Sequence, residues 1–508
     1  MLSLSVHSQV NLALDAAVGN CVRTQRADGA WESIPDPRIT ETALTALALG
    51  IHAPDAVAKA RVWLKSAQPQ SHDQTAWAFE NALLAMALDK PDVVSLEQSS
   101  EANVVLSSRN RLVQVVALCR GRAVRGGAPP EQLRAETEHA VGVTTRLKRW
   151  SHVELLSCHV LLECALGDRS KAKAAIPAIV AHQSDSGSFY DNPVTTALAF
   201  LALDSAARDT THWQKTRQYL TSTQQPDGTW RFCSSDVWDT TLTLRSFRGL
   251  PEFEASCAEA AVDFLAANQN EDGGWSFRQG VESDNDTASA VMISLAGRRP
   301  PGGATLGGLA YLADQQTSDG LWQTWQSRDD PPVEDVVAHV VSALSLYPFD
   351  HDVVLAPARR WLVDRWRARG RWTASWYRGL PYATREVSHA LGAHPLVDRA
   401  LDDLVATRND DGGWPTVAGE PSSPSATGLV MACMANSGAF DPPTWEAAID
   451  YLVGTQQGDG TWPGTPEMFG PRPLLTHFQT HTQAFAALGL RAARCYQTGG
   501  RFGARGTK

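Results

Sequence analysis

Gln269-Asn270-Glu271-Asp272-Gly273-Gly274-Trp275 decides how this chain folds, because the phrase does not stand alone. It returns as Gln25 to Trp31, Gln224 to Trp230, Gln316 to Trp322 and Gln456 to Trp462, each with Gln, Asp-Gly and Trp in the same places. Two degenerate copies, Arg408 to Trp414 and Gln183 to Phe189, and an eroded one ending Gly370-Arg371-Trp372 complete the series. In the second half the tryptophans fall at 230, 275, 322, 372, 414 and 462, a period of 42 to 50 residues that marks a helical-hairpin repeat. Asp-Gly makes a tight turn that glycine accommodates easily, and the tryptophan then packs its large face beside a helix end. Between copies the apolar spacing is helical, as in 255–267 and 356–366, with Gly, Pro and Asp at the joints. The expected fold is all-α, with few strands. Such repeats either stack as an open solenoid scaffold that binds a partner along its concave face, or close, with six units, into a barrel of paired helices around a deep cavity. From about 60 to 180 the copies thin out, and a Gly-Gly-Ala-Pro-Pro break interrupts 122–130, which reads as part of a second, less regular helical domain.

Composition narrows the function. With 508 residues, 43% hydrophobic and 20% charged, the chain has core enough for two domains or more. A net charge of −10, with Arg146-Leu147-Lys148-Arg149 as its main basic cluster, leaves no footprint for nucleic acid. The eight cysteines stand singly with no CxxC pair, which implies free thiols in a reducing compartment and no zinc site. The first residues lack a basic stretch followed by a long apolar run, and no segment approaches 18 uninterrupted apolar residues. A cytoplasmic protein without a transmembrane segment is expected. The tail 499–508, rich in Gly and basic residues, is expected to be disordered.

Close after the Gln269 phrase stands Ser283-Asp284-Asn285-Asp286-Thr287-Ala288-Ser289. Ala288, Val291, Met292 and Leu295 fall at i, i+3, i+4 and i+7, so a helix begins here with two carboxylates at its amino end. Asp284 as N-cap and Asp286 as a first-turn acid would satisfy free amide groups, and the same positive pole would favour an acid that must give up a proton.

The repeated phrase resembles the QW motif of the class II terpene cyclases, the family of the squalene–hopene cyclases and the diterpene cyclases. Asp236-Val237-Trp238-Asp239-Thr240, the stretch from Asp330 to Val340, and Gly370-Arg371-Trp372 are similar to segments of hopene cyclases in the same order, and the likeness covers most of 220–490. The resemblance implies a two-domain (α/α)-barrel architecture of the βγ type. In it 1–20 supply the first helix of the catalytic domain, 21–221 an inserted helical domain and 222–498 the barrel, with a cavity between the domains. In that family the middle aspartate of Asp-x-Asp-Asp protonates a terminal alkene or epoxide. Here the motif reads Asp284-Asn285-Asp286-Thr287, a departure at its last position, and Asp286 becomes the expected general acid. Aligning on Thr287-Ala288 instead would place Asp286 on the last aspartate and lose the acid; the first register keeps both carboxylates. An alkene is a very weak base, so the acid must keep its proton in a dry cavity until the moment of transfer. His339 resembles the histidine that pairs with this acid, and Asp335, at i, i+4, is expected to orient its ring. Trp238 and Trp372 resemble tryptophans that line the cavity and stabilise carbocations through their π faces.

Two features of the resemblance point away from squalene. Where hopene cyclases place C-terminal cavity aromatics this chain has Arg472, Thr476 and Gln479, and the stretches 147–167 and 187–197 are similar to diterpene cyclases. Lys148, with Arg472 second, is the expected partner of a substrate diphosphate. No Asp-Asp-x-x-Asp cluster occurs; Asp329-Asp330 and Asp402-Asp403 fail its spacing, so the diphosphate is expected to survive. Magnesium is expected only with that diphosphate, and no ligand set is named. The expected reaction is an isomerisation of a linear prenyl diphosphate, geranylgeranyl before farnesyl, to a bicyclic diphosphate, begun by Asp286 and ended by deprotonation. The alternatives are a triterpene-type polyene cyclase, an inactive repeat scaffold, and a protein prenyltransferase subunit, against which the missing zinc ligands count.

Overall fold

A computed structural model of the chain describes residues 4–90, 94–95, 104–143, 148–324, 331–348, 351–439, 441–470 and 472–497. The tail 499–508, Arg146, Asp329 and Asp330 lie outside the described residues. The chain divides into two compact units, one made of Met1–Ile34, Ser234–Phe469 and His477–Lys508, the other of Pro35–Cys233 and Gly470–Thr476. Both boundaries fall later than the expected 20/21 and 221/222, because each repeat turn stays with the helix before it. Trp31 stacks on Phe253 of the first unit at 5.7 Å between ring centroids, and Trp230 is buried in the second unit's core. The short segment 470–476 belongs to the second unit because Gln70 exchanges two 2.8 Å hydrogen bonds with the Leu475 backbone, while Arg109 Nε donates to Arg472 O at 3.1 Å.

Each repeat turn is built alike. In the Gln269 phrase, Gln269 Nε2 donates to Gly273 O at 2.7 Å within the turn and to Ala304 O at 2.9 Å on the next outer helix. Gly273 has φ +83°, and a Cβ there would lie 2.6 Å from Gly307 O, one helical turn beyond that same carbonyl. Only glycine allows the turn to sit so close to the neighbouring helix. The tryptophan finishes the joint. Trp275 Nε1 donates to Leu265 O at 2.6 Å, in the last turn of helix Ala258–Ala267, where a carbonyl lacks a helical partner. Trp31, Trp230, Trp322, Trp372 and Trp462 make the same bond to the carbonyl ten residues back.

These joints close the first unit on itself. Among the described residues its inner helices are Asp236–Ser246, Asn285–Leu295, Glu334–Leu344, Pro381–Leu391, Pro424–Ser437 and Gln479–Gln497; each packs on the next, and the last packs on the first. Leu4–Thr24, Ala258–Ala267, Ala304–Asp314, His351–Arg369, Pro395–Val405 and Pro442–Thr455 form an outer layer against them. The final turn seals the ring, with Gln456 Nε2 donating to Ala13 O on the first helix at 2.9 Å. This is a barrel of six helical hairpins, not an open solenoid. Asn285–Leu295 and Glu334–Leu344 are buried over their whole length, which explains polar residues on faces that would meet water in a surface helix. The second unit repeats the plan with Ile39–Leu49, Gln74–Ala87, Val104–Cys119, Arg149–Ala165 and Pro193–Ala206 in its inner ring. Strand is confined to two-residue pieces among the described residues, which also form no disulfide and hold no helix long and apolar enough to cross a membrane.

Candidate active site

Asn285–Leu295 starts as its sequence dictates. Asp284, in extended conformation, accepts from Thr287 N at 2.7 Å on one carboxylate oxygen and from Thr287 Oγ1 at 3.1 Å on the other. Thr287, the departure from the family motif, thus fastens the cap, and Asp284 is engaged in holding the helix start. Two residues later Asp286 lies in the first turn, buried, with its carboxylate turned to the neighbouring inner helix. There Asp286 Oδ1 meets His339 Nδ1 at 2.5 Å, as the pairing inferred from sequence requires.

The other side of the imidazole holds a residue that the sequence reading passed over. His339 Nε2 lies 3.0 Å from Glu386 Oε2, and Tyr382 OH is 3.4 Å from the same nitrogen. Glu386 is itself clamped by Arg385 at 2.5 Å and by Arg245 at 2.8 Å, the latter from the far side of the ring. Burial alone would strip the proton from His339, but the charges of Glu386 and Asp286 and their hydrogen bonds outweigh it and hold the imidazole well above its ordinary range. Burial also opposes ionisation of Glu386, yet Arg385 and then His339 overcome it and bring the carboxyl down to about 2. The chain Asp286–His339–Glu386–Arg385/Arg245 therefore alternates acid and base in an interior without water-exposed ends.

Asp335 does not orient His339 as expected. Its Oδ2 accepts from Ser375 N at 2.8 Å, its Oδ1 is buried without a hydrogen bond, and among the described residues it shares none with His339. The reason is geometric: His339 spends both ring nitrogens on Asp286 and Glu386. Burial first, then the nearby charge of Asp286, raise the Asp335 carboxyl to about 7. Trp238 stands at the site, with its ring centroid 6.1 Å from that of His339 and Nε1 donating to Tyr377 OH at 3.0 Å. Tyr377 stacks on Tyr382 at 4.0 Å. Trp372 does not join them. It makes the repeat-turn bond to Leu362 O at 2.8 Å and packs on Trp366, so it is a joint tryptophan like its counterparts at 275 and 322.

The groups expected at a diphosphate lie in the second unit and are described there. Lys148 precedes helix Arg149–Ala165, with its Nζ 4.4 Å over the Trp150 ring, and Arg472 is exposed beside Arg109. In the first unit, Gln479 donates to Trp462 O at 2.8 Å. Among the described residues the ligand atoms of Glu138, His159 and Glu163 come within 4.8 Å of one another, spacing that a metal ion could bridge. Arg134 Nε already meets Glu163 at 2.7 Å there, so a cation is supplied by the chain itself. Locally the sequence shows only that Arg385-Glu386 is a charged pair between Tyr382, Ala383, Val387 and Ala390, in a helix otherwise patterned for burial.

Comparison with known proteins agrees with the helical-barrel fold. The family model described as squalene-hopene cyclase C-terminal domain matches residues 168–329 and 325–494. The chain is 26% identical over 365 residues to a drimenyl diphosphate synthase of Streptomyces showdoensis, 68% of this chain and 67% of that one. It is 28% identical over 334 residues to a drimenyl diphosphate synthase of Streptantibioticus cattleyicolor, 59% of this chain and 62% of that one. It spans about two thirds of the first relative's length and less than that of the second. The solved ent-copalyl diphosphate synthase from Streptomyces platensis has the same fold, with a TM-score of 0.58 and 16% identity over 96% of this chain and 99% of that one. The chain belongs to the squalene-hopene cyclase C-terminal domain family, and with it to the class II terpene cyclases.

Proposed function

We propose that the protein cyclises a linear prenyl diphosphate, geranylgeranyl or farnesyl, to a bicyclic diphosphate, by proton transfer from Asp286 and without loss of the diphosphate. The observation that carries this reading is the 2.5 Å contact between Asp286, in the first turn of its inner helix, and His339 on the next inner helix, backed by Glu386 at 3.0 Å. Asp286 gives its proton to the terminal alkene. The carboxylate left behind then takes a charge-assisted hydrogen bond from the His339 imidazolium and faces the positive pole of its own helix. Asp335 contributes a second buried carboxyl to the site, raised to about 7 by burial and then by the nearby charge of Asp286. Trp238, Tyr377 and Tyr382 supply aromatic surface beside the acid, able to stabilise a cation while the rings close.

The relatives named drimenyl diphosphate synthase support a diphosphate substrate. Its charge needs cations, for which Lys148, and secondarily Arg472, are the candidates; magnesium would arrive with the diphosphate as part of the substrate. The head group does not react, so its binding serves to position the distant alkene. The test is incubation of the purified protein with farnesyl diphosphate, geranylgeranyl diphosphate and squalene, followed by dephosphorylation and product identification. A bicyclic alcohol from at least one diphosphate is expected. Ready turnover of squalene with neither diphosphate consumed would overturn the substrate reading.

A further inference from the structure

Cyclisation that starts by adding a proton must end by removing one, and a group other than the initiating acid is arranged to do so. We propose that Tyr377, backed by His481 and Asp239, accepts the proton that ends the reaction; this rests on the cyclisation reading above. The three side chains are buried in the first unit and form one hydrogen-bonded line. Trp238 Nε1 meets Tyr377 OH at 3.0 Å, Tyr377 OH meets His481 Nδ1 at 3.0 Å, and His481 Nε2 meets Asp239 Oδ1 at 2.9 Å. An indole N–H can only donate, so the tyrosine oxygen accepts from Trp238 and points its own O–H at His481. With a neutral imidazole this leaves Nδ1 as acceptor and Nε2–H as donor to Asp239. Ser235 Oγ at 2.8 Å, Ser33 N at 2.9 Å and Ser33 Oγ at 3.3 Å also converge on Asp239, a set of donors that an acceptor-only carboxylate satisfies.

Both nitrogens of His481 are engaged within the protein, so a proton from the substrate reaches this line only at the Tyr377 oxygen. The C–H bond next to the final cationic carbon breaks and its electron pair becomes the new C=C bond. The proton passes to the Tyr377 oxygen as the phenol's own proton moves to His481 Nδ1, leaving imidazolium beside the Asp239 carboxylate. Water exchange returns the system after product leaves. The position fits the task. Tyr377 stacks at 4.0 Å on Tyr382, whose hydroxyl lies 3.4 Å from His339, so one aromatic ring separates the line from the imidazole that meets the acid. In a bicycle, the carbon that gains the proton and the carbon that loses one are likewise separated by the fused rings. Hydrogen bonds from Arg378 N to Glu467 O at 2.8 Å and from Phe469 N to Trp376 O at 2.7 Å fix the loop that carries Tyr377.

The test is Tyr377→Phe, which keeps the ring and removes the oxygen, read alongside Asp239→Asn, which keeps the oxygen and breaks the relay behind it. Both are checked for folding by thermal melts and assayed with the diphosphate that the wild type converts. Loss of a general base is expected to lower kcat by roughly a hundredfold in Tyr377→Phe, with KM within about twofold, since substrate binding is untouched. The decisive readout is product partition: the wild-type alkene should give way to other alkene isomers and to alcohols formed by water capture, traced with oxygen-18 water. Asp239→Asn should shift the same partition in the same direction. If both variants fold and yield the wild-type alkene in wild-type proportion, the relay is overturned while the cyclisation reading stands. A wild type that converts neither diphosphate takes down that reading itself and the relay with it.

Discussion

Replacing Glu386 by glutamine preserves the shape of the acid–base line and removes the one charge that holds His339 from behind. Glu386 Oε2 lies 3.0 Å from His339 Nε2, and the carboxylate is the largest of the influences that hold the imidazole on its proton against burial. In the glutamine variant His339 faces a neutral amide, and Arg385 and Arg245 lose their shared anion. A hydrogen bond to a charged partner contributes about 1.5–3 kcal/mol. If that support reaches the transition state through His339, kcat should fall roughly ten- to a hundred-and-fifty-fold at 1.36 kcal/mol per decade. The pH profile gives a sharper readout. His339 has a raised folded-state pKa, so its imidazolium is fully present at low pH and is lost as pH rises through that value. Without Glu386 the loss comes at lower pH, and the alkaline limb of kcat should move to the acid side. The assay is kcat against pH for both proteins on the same prenyl diphosphate, with melting curves to confirm the folded fraction, since stripping one partner from a buried ion pair costs about 3–5 kcal/mol of stability at worst. A folded variant with kcat within twofold of wild type and an unmoved alkaline limb would refute the role given to Glu386.

Three further outcomes are expected. His339→Ala removes the donor that meets Asp286 at 2.5 Å and should cost about 3 kcal/mol of barrier, roughly a hundredfold in kcat, measured by steady-state turnover. Asp335 has its carboxyl raised to about 7 in the fold against an ordinary 3.8, so the stability it contributes is present below pH 4 and lost as pH rises through 7; Asp335→Asn should flatten that part of a denaturation profile. Lys148→Ala should raise KM for a prenyl diphosphate and leave any activity toward an uncharged polyene unchanged, which competition between the two substrates would show.

What the sequence disclosed was whatever a local pattern or a repeated phrase could carry. The Gln269 phrase encoded the joint almost completely: glutamine reaches the next helix, glycine permits close approach, and tryptophan caps the helix behind. The helix at 285 and its two carboxylates were readable from spacing, and the pairing of Asp286 with His339 across 53 residues from the family motifs. Glu386 escaped because its value depends on Arg245, 141 residues away, and no local pattern announces that the ring brings the two together. Asp239 and His481 were hidden for the same reason, being joined only where the ring closes between Asp236–Ser246 and Gln479–Gln497. Asp335 was misjudged because i, i+4 spacing puts two side chains on one face without deciding which partner each prefers. Trp372 follows its place in the repeat, which the sequence already shows, and its indole bonds the carbonyl ten residues back like the other joint tryptophans. The later unit boundaries follow from the same joints, which tie each turn to the helix before it.

The central claim, that Asp286 opens the reaction by protonating carbon while the diphosphate is retained, is tested most directly by turnover in deuterium oxide. Product from the wild type should carry one deuterium on the ring carbon that receives the proton, with no release of inorganic diphosphate, and Asp286→Asn, folded to the same melting temperature, should form none. Bicyclic product that lacks deuterium at that carbon, diphosphate released in step with turnover, or near-wild-type activity in the asparagine variant would contradict the account.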